Sequence, residues 1–264
     1  MNDTKFFTDA KLPFLELRYS KSKLDYKEHI HNTFSIGAII KGKRVYTNKN
    51  NYYTICKNHL AIVNPNTIHS CNSINNEESF YYMLYLNKAY LKSLFQTENF
   101  LEFKKELVED KESYNEFLKL CKVIFSNEFY IKKEQYLINF ILNLYKKHSD
   151  FKEEYTKDKL KISNEIVDYL HKKVDSDITL EELSKKFNLS KFYLLKLFKK
   201  ELGTTIYTYF INLKIEYAKK LLKKNMPISE VALESGFFDQ SHFHRNFIKF
   251  VATTPKKYQN NFVQ

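Results

Sequence analysis

The chain has 264 residues, of which 43% are hydrophobic and 16% aromatic, and its formal net charge is +12. That length suits two domains, and that apolar content is enough for a core. Three scattered cysteines argue against a disulfide framework and favour a reducing cytoplasm, and we expect neither a signal peptide nor a membrane span. The positive charge favours a nucleic-acid partner, although a lysine-rich composition with only three arginines is also typical of an AT-rich genome.

Residues 1–95 have the pattern of short β-strands. An apolar run at Phe34–Gly42 ends in glycine, and Tyr46–Ile55 has an Asn/Lys turn between β-forming residues. The runs "HLAIVNPN" and "FYYMLYLN" end at asparagine or proline. Many short strands separated by turn residues predict a sandwich or a barrel.

From about Lys88 the apolar residues recur at helical spacing. The segments "YLKSLFQ", "FLEFKKELVED", "SYNEFLKLCKVIFS" and "QYLINFILNLYKKH" therefore predict amphipathic helices, whose stripes suit either dimer contacts or core packing. The charged stretch His148–Lys159 breaks this periodicity and predicts a linker. Residues 160–264 are again helical in pattern.

The C-terminal region contains a repeat built on two predicted helix N-caps, Ser190 and Asp239, which lie 49 residues apart. Apolar residues follow each cap at the fourth and eighth positions, so they share one face of each helix. These residues are Leu194, Phe198, Phe243 and Phe247. The second, fifth, sixth and ninth positions are predicted to point outward; they are Phe192, Leu195, Lys196 and Lys199 in the first copy and Ser241, His244, Arg245 and Ile248 in the second.

A shorter helix precedes each copy. The first of these opens with a predicted capping box, Thr179 and Glu182. Asn188 and Gly236 occupy the two tight turns, where residues able to take positive φ are favoured. Two helices joined in this way predict a helix-turn-helix, whose second helix can enter the DNA major groove. Between the copies, Thr205–Lys224 predicts one helix of about 30 Å, close to the ~34 Å between successive major-groove faces.

These pieces resemble the AraC/XylS family of bacterial transcription regulators. The resemblance rests on "ITLEELSKKFNLSKFYLLKLFKKELG", "YFINLKIEYAKKLL", "PISEVALESGFFDQSHFHRNFIKF" and "TTPKKY", in the family's order and spacing. It implies an α+β chain: a cupin-like sensory barrel at 1–95, a helical dimerisation segment at 96–150, and a DNA-binding domain at 160–264 with two helix-turn-helix motifs joined by a linker helix. Lys196 and Lys214 depart from the family, which usually has arginine at both positions.

The resemblance implies a cytoplasmic, effector-responsive regulator with double-stranded DNA, RNA polymerase and a second copy of the chain as partners. Recognition helices are expected at 190–202 and 239–250, in successive major grooves. The expected DNA-binding residues are Ser190, Lys191, Phe192, Leu195, Lys196, Lys199, Gln240, Ser241, His244, Arg245 and Lys249. A metal-cupin enzyme with a DNA-binding tail and a nonspecific architectural DNA binder are the alternatives.

Three histidines of the N-terminal half lie where metal-binding cupins place ligands. The segments "EHIHNTFSIGAIIKG" and "LAIVNPNTIHS" resemble the two cupin motifs and contain His29, His31 and His69. The glutamate of the first motif is missing, since Ser35 and Ile36 stand where it is expected. We therefore expect these histidines to be structural or to bind an effector, with no metal, no cofactor and no catalytic residue.

Overall fold

The computed structural model describes residues 3–26, 28–149, 160–251 and 253–260. The chain forms two compact units: Met1–Ser126 with Tyr136–Glu154, and Asn127–Gln135 with Tyr155–Gln264. The predicted linker lies almost wholly outside the described residues, so the domain boundary predicted there stays a prediction. The grouping of Asn127–Gln135 with the C-terminal residues was not predicted.

The first unit is built from two antiparallel sheets. Its strands are β1 Asp3–Phe7, β2 Leu15–Ser22, β3 Thr33–Lys41, β4 Arg44–Asn48, β5 Asn51–Ile55, β6 His59–Val63, β7 His69–Ser73, β8 Ser79–Asn87 and β9 Leu107–Glu109. One sheet has the order β1-β2-β8-β3-β6-β9, and the other has the order β5-β4-β7. The strand predicted at Phe34–Gly42 is confirmed as β3, which is buried because it lies in the middle of the larger sheet. The turn predicted within Tyr46–Ile55 is also confirmed, with Lys49 at φ 52°.

The helices associated with these strands are α1 Lys88–Phe95, α2 Lys111–Phe125 and α3 Tyr130–His148. The helix predicted from "FLEFKKELVED" is wrong. Its last residues form β9, which pairs with β6, and the Asn64 amide group binds both the N–H and the carbonyl oxygen of Phe103. Because these contacts hold the backbone in a non-helical path, Phe103 and Val108 are buried without forming a helix.

The second unit contains α4 Leu160–Lys172, α5 Leu180–Phe187, α6 Lys191–Leu202, α7 Ile206–Lys223, α8 Ile228–Glu234, α9 Gln240–Val251 and α10 Pro255–Asn260. The predicted caps of α5 and α6 are confirmed: Thr179 Oγ1 accepts from Glu182 N, and Ser190 Oγ accepts from Tyr193 N. Asn188 takes φ 49° in the turn between α5 and α6, as predicted.

The aromatic side chains of α6, α7 and α9 form the centre of this unit. Four phenylalanine side chains are at most 1% exposed: Phe198, Phe210, Phe243 and Phe247. Ile211, Ile215 and Leu222 of α7 join them, so the connecting helix packs against other helices along much of its length. Within the described residues, none of the helices combines the length and apolar character that a membrane crossing requires.

Candidate functional site

The helix α9 has one buried face and one open face. Its N-cap Asp239 accepts from His242 N at 2.6 Å, which confirms the predicted start of the helix. His242, Phe243, Asn246 and Phe247 are buried. All the predicted contact residues of this helix are exposed: Gln240, Ser241, His244, Arg245 and Lys249. The polar side chains therefore stand together on a surface supported by an aromatic core.

The equivalent helix α6 is more enclosed than predicted. Lys199 is exposed, and Phe192 and Lys196 are half-buried, with the Lys196 ammonium 5.7 Å from the centre of the Phe192 ring. The prediction that Leu195 points outward is wrong, since its side chain is only 7% exposed. The buried face of α6 is centred between the fourth and eighth positions past the cap. Because each residue turns the helix by about 100°, the fifth position, Leu195, lies at the edge of that face.

Lys191 is also buried, contrary to its predicted place at a DNA surface. Its Nζ lies 2.6 Å from Glu134 Oε1 and 2.8 Å from Glu181 Oε2. The Lys191 ammonium lowers the pKa of the Glu181 carboxyl below its usual range. At one position past the cap, this residue lies about 40° from the centre of the buried face, which is the signal that the sequence pattern contained. In this structure Lys191 serves an ion pair and is not available to a phosphate.

The segment Asn127–Gln135, which sequence reasoning missed, brings further side chains to the starts of both helices. Phe129 lies 4.7 Å, ring centre to ring centre, from His242 of α9. Glu128 Oε2 lies 3.5 Å from His242 Nε2 and accepts from the Tyr207 hydroxyl at 2.9 Å. These contacts fix the buried side of α9 and leave its polar side exposed.

Lys214 holds the two helix-turn-helix pairs together from within. It is fully buried on α7, and its Nζ donates to the carbonyl oxygens of Val174, Ser176 and Gly236 at 2.9, 3.0 and 3.1 Å. Burial lowers its pKa to about 8. Lys214, one of the two lysines that replace the family's usual arginine, is therefore a structural cation and does not face DNA.

The first unit has a partly open cavity between its sheets, with a volume of ≈ 90 Å³ for the centres of water-sized molecules. Apolar and tyrosine side chains make up most of the lining, among them Ile39, Tyr46, Val63 and Tyr81. Arg18, Arg44, His29 and His69 also reach it. His31 instead lines a neighbouring cleft with Thr33 and Tyr85. Two of the three predicted effector-binding histidines therefore border the cavity.

The three imidazoles nevertheless lie close together. His29, His31 and His69 can each point one ring nitrogen at a common site. These three nitrogens all lie within 4.8 Å of one another. His31 Nδ1 lies 3.1 Å from the Thr33 carbonyl oxygen, and His69 Nδ1 lies 2.9 Å from that of Thr67. A carbonyl acceptor favours the proton on Nδ1 and leaves Nε2 with its lone pair.

Burial favours the neutral form of two of these imidazoles, His31 and His69. It lowers the pKa of His69 to about 4 and also lowers the pKa of His31. His31 Nε2 is buried and has no hydrogen-bond partner among the described residues. A neutral imidazole of this kind can accept a hydrogen bond from a donor group of a ligand, or it can bind a transition metal.

Comparison with known proteins identifies both units. A model of the AraC-like ligand binding domain matches residues 16–141, and a model of a helix-turn-helix domain matches residues 183–261. The multiple antibiotic resistance protein MarA of Escherichia coli is 33% identical over 100 residues, which are 38% of this chain and 79% of MarA. The chain belongs to the AraC family of transcription regulators. The predicted fold class, a cupin-like N-terminal region followed by a helical domain, is confirmed with it.

A second relative of this AraC-family regulator is similar over most of its length. It is the HTH-type transcriptional regulator YbfI of Bacillus subtilis, 26% identical over 89% of this chain and 87% of YbfI. Among solved structures, an apo ToxT variant from Vibrio cholerae covers 95% of this chain and 98% of that chain, with 17% identity and a TM-score of 0.40. The C-terminal domain of AraT from Geobacillus stearothermophilus covers 40% of this chain and 88% of that chain, with 28% identity and a TM-score of 0.38.

Proposed function

We propose that this AraC-family regulator recognises a specific operator by placing α6 and α9 in successive major grooves of one duplex. The observation that carries this proposal is the open polar face of α9, whose opposite face is locked into an aromatic core. The connecting helix α7 has 18 residues, or about 27 Å of helix. That length is close to the ~34 Å repeat of the major groove, so one stiff element can serve both grooves.

The two helices divide the work of recognition. On α9, Arg245 can donate bidentately to guanine O6 and N7, while His244, Ser241 and Gln240 add polar contacts to bases. Lys249 on the same exposed face suits a phosphate. On α6, the buried Lys191 and Leu195 leave fewer side chains for DNA: Lys199 and Lys196 for phosphates, Phe192 for a thymine methyl group, and the cap residue Ser190. We therefore assign base readout mainly to α9 and positioning mainly to α6.

The cavity of the first unit is the proposed effector site. Its aromatic lining and its polar groups fit a small organic ligand, and His29 and His69 border it. His31 would act through the neighbouring imidazole of His69, whose ring centre is 4.7 Å away.

RNA polymerase is a further proposed partner in the cytoplasm.

We also propose a homodimer, but one whose interface is formed by the exposed polar faces of the helices rather than by their apolar stripes. The apolar stripe of α2 is occupied inside the chain, where the Tyr114 hydroxyl donates to the Ile39 carbonyl oxygen at 2.6 Å. The pairing of two chains predicted for the helices at 88–147 would therefore use their exposed polar faces, which include Glu112 and Lys147.

Selection from a random duplex library, followed by affinity measurement at several salt concentrations, tests the proposed function. We expect a selected operator to bind roughly 10³-fold or more tightly than bulk DNA at the same salt concentration. Both complexes should weaken as salt rises, because both release counterions from phosphates. A selected operator that binds no better than bulk DNA would instead support a nonspecific architectural protein.

The histidine cluster favours a second candidate, a metal-binding barrel. Three imidazoles fit Zn²⁺, Ni²⁺ or Cu²⁺, although the glutamate of the cupin motif is absent. Under this candidate, metal analysis of the purified protein should give about one equivalent, and His31→Ala should lower metal affinity at least ~10-fold. His59→Ala, outside the cluster, is the control. Equal metal binding by wild type and His31→Ala would remove the candidate.

A further inference from the structure

The segment Asn127–Gln135 lies between α2 and the middle of α3, yet it is grouped with the DNA-binding unit. We refer to it as the α2–α3 segment. The rest of α3, from Tyr136 onward, is grouped with the first unit. One continuous helix therefore belongs to both units, and its first turns lie with the helices that are proposed to bind DNA.

A buried ion pair joins this segment to the first residue of α6. Glu134 Oε1 lies 2.6 Å from Lys191 Nζ, and the two side chains are only 3% and 7% exposed. Lys191 directly follows the helix cap Ser190. The N-terminus of a helix favours anions, and the second helix of a helix-turn-helix contacts DNA with its N-terminal residues. The Glu134 carboxylate therefore occupies the lysine at the end of α6 that meets DNA.

The same segment also contacts the starts of α7 and α9. The Tyr207 hydroxyl of α7 donates to Glu128 Oε2 at 2.9 Å, and the Lys132 ammonium lies 5.0 Å from the centre of the Tyr207 ring. Phe129 packs against Phe238 in the turn before α9, with the ring centres 4.8 Å apart. Because one segment contacts all three helices, a change in the relative orientation of α6 and α9 requires this segment to move.

We propose that the α2–α3 segment forms an autoinhibitory contact, in which Glu134 occupies Lys191 in place of a DNA phosphate. Binding of DNA then exchanges one anion for another on the same lysine. A protein whose binding-competent state is only a fraction of the population has its apparent affinity reduced by that fraction. Release of the segment therefore raises the affinity for DNA and leaves the base contacts of α9 unchanged. This inference rests on the proposed DNA-binding function and adds a means of regulating it.

Glu134→Gln in the full chain tests this exchange, because it removes the competing charge and keeps a side chain of similar size. We expect it to bind the selected operator roughly 10-fold more tightly than wild type, as it should if about nine tenths of wild-type chains hold the contact. The freed lysine should add about one counterion to the salt dependence. Bulk DNA should gain by a similar factor, since a phosphate contact carries no base preference. Adding Lys191→Ala to this variant should remove the gain.

Glu181→Gln is the matched control for the loss of a carboxylate beside Lys191. Glu181 Oε2 lies 2.8 Å from Lys191 Nζ, but Glu181 belongs to α5 of the same helix-turn-helix and not to the α2–α3 segment. Its side chain is 52% exposed, so we expect this variant to bind DNA within about 2-fold of wild type. Equal gains from the two substitutions, or no gain from Glu134→Gln, would overturn the proposal.

Hydrogen exchange of the wild-type chain provides a second test that needs no substitution. Peptides from 127–135 should exchange faster when operator DNA is added, because the phosphate displaces Glu134 from Lys191. Unchanged or slower exchange there would contradict the autoinhibitory contact. Equal affinity of wild type for operator and bulk DNA would instead refute sequence-specific recognition, and the gain of Glu134→Gln on bulk DNA would still report on the contact.

Discussion

Replacing Gly236 with alanine should destabilise the DNA-binding unit by about 2–5 kcal/mol. Gly236 has φ +70°, where an L side chain costs roughly 1–2 kcal/mol. An added Cβ would also meet Lys214 Nζ and lie 2.9 Å from the Asp175 carbonyl oxygen. Lys214 cannot move away cheaply because several carbonyl oxygens accept from it, so overpacking adds roughly 1–3 kcal/mol.

Gly203→Ala is the matched control for this substitution. Gly203 also has positive φ, +67°, but an added Cβ there has nothing within 4 Å. Its cost should therefore be the backbone term alone, ~1–2 kcal/mol. Urea unfolding of the full chain, with hydrogen exchange of peptides from 206–251, separates the two variants. Equal destabilisation by both substitutions would show that the turn at Gly236 is not tightly packed.

Replacing Lys214 with methionine should cost the same unit about 3 kcal/mol or more. The substitution keeps much of the apolar stem but leaves the carbonyl oxygens of Val174, Ser176 and Gly236 without their donor. Each buried acceptor left unsatisfied costs roughly 1–3 kcal/mol, and relaxation of the loops recovers part of the sum. The two helix-turn-helix pairs should loosen together, because these carbonyls lie in turns before α5 and before α9.

Lys220→Met on the exposed side of α7 provides the comparison. It changes the same side chain on the same helix and should alter stability by less than ~0.5 kcal/mol. Hydrogen exchange should accelerate at 174–178 and 235–238 in Lys214→Met only. A Lys214→Met protein as stable as Lys220→Met would refute the structural role assigned to this cation.

The sequence predicted the helix-turn-helix unit well because local signals specify it. Ser190 and Asp239 are caps, Asn188 and Gly236 take positive φ, and the fourth and eighth positions past each cap are buried. Each of these features depends on neighbours within a few residues. The strand at Phe34–Gly42 was equally local, since its apolar run and terminal glycine were enough to place it.

The failures arose where distant residues decide the outcome. The helix expected from "FLEFKKELVED" does not form because β9, at the end of this segment, pairs with β6, which lies about fifty residues earlier in the chain. Lys191 was expected at DNA, but Glu134 binds it from a segment 57 residues away. A ligand site inside the barrel was expected, but its full lining could not be named from the sequence because it comes from strands throughout the first unit. Helical periodicity shows which face is buried but not which element covers it.

Sequence-specific binding by this protein depends most directly on Arg245, which we propose contacts a base. Its guanidinium is exposed on α9, at the position equivalent to Lys196 of α6, and stands beside His244. Arg245→Ala should cost ~1–3 kcal/mol on the selected operator and should relax the preference at one base pair. Lys196→Ala should weaken binding by a similar factor on every sequence, because a phosphate contact carries no base preference.

The deciding measurement is the affinity of wild type, Arg245→Ala and Lys196→Ala for a panel of single-base operator variants at one salt concentration. We expect Arg245→Ala to lose discrimination at one guanine and to keep it elsewhere, while Lys196→Ala keeps the full pattern of base preference at lower affinity. If Arg245→Ala weakens every operator variant equally, Arg245 contacts the backbone, and the assignment of base readout to it is wrong.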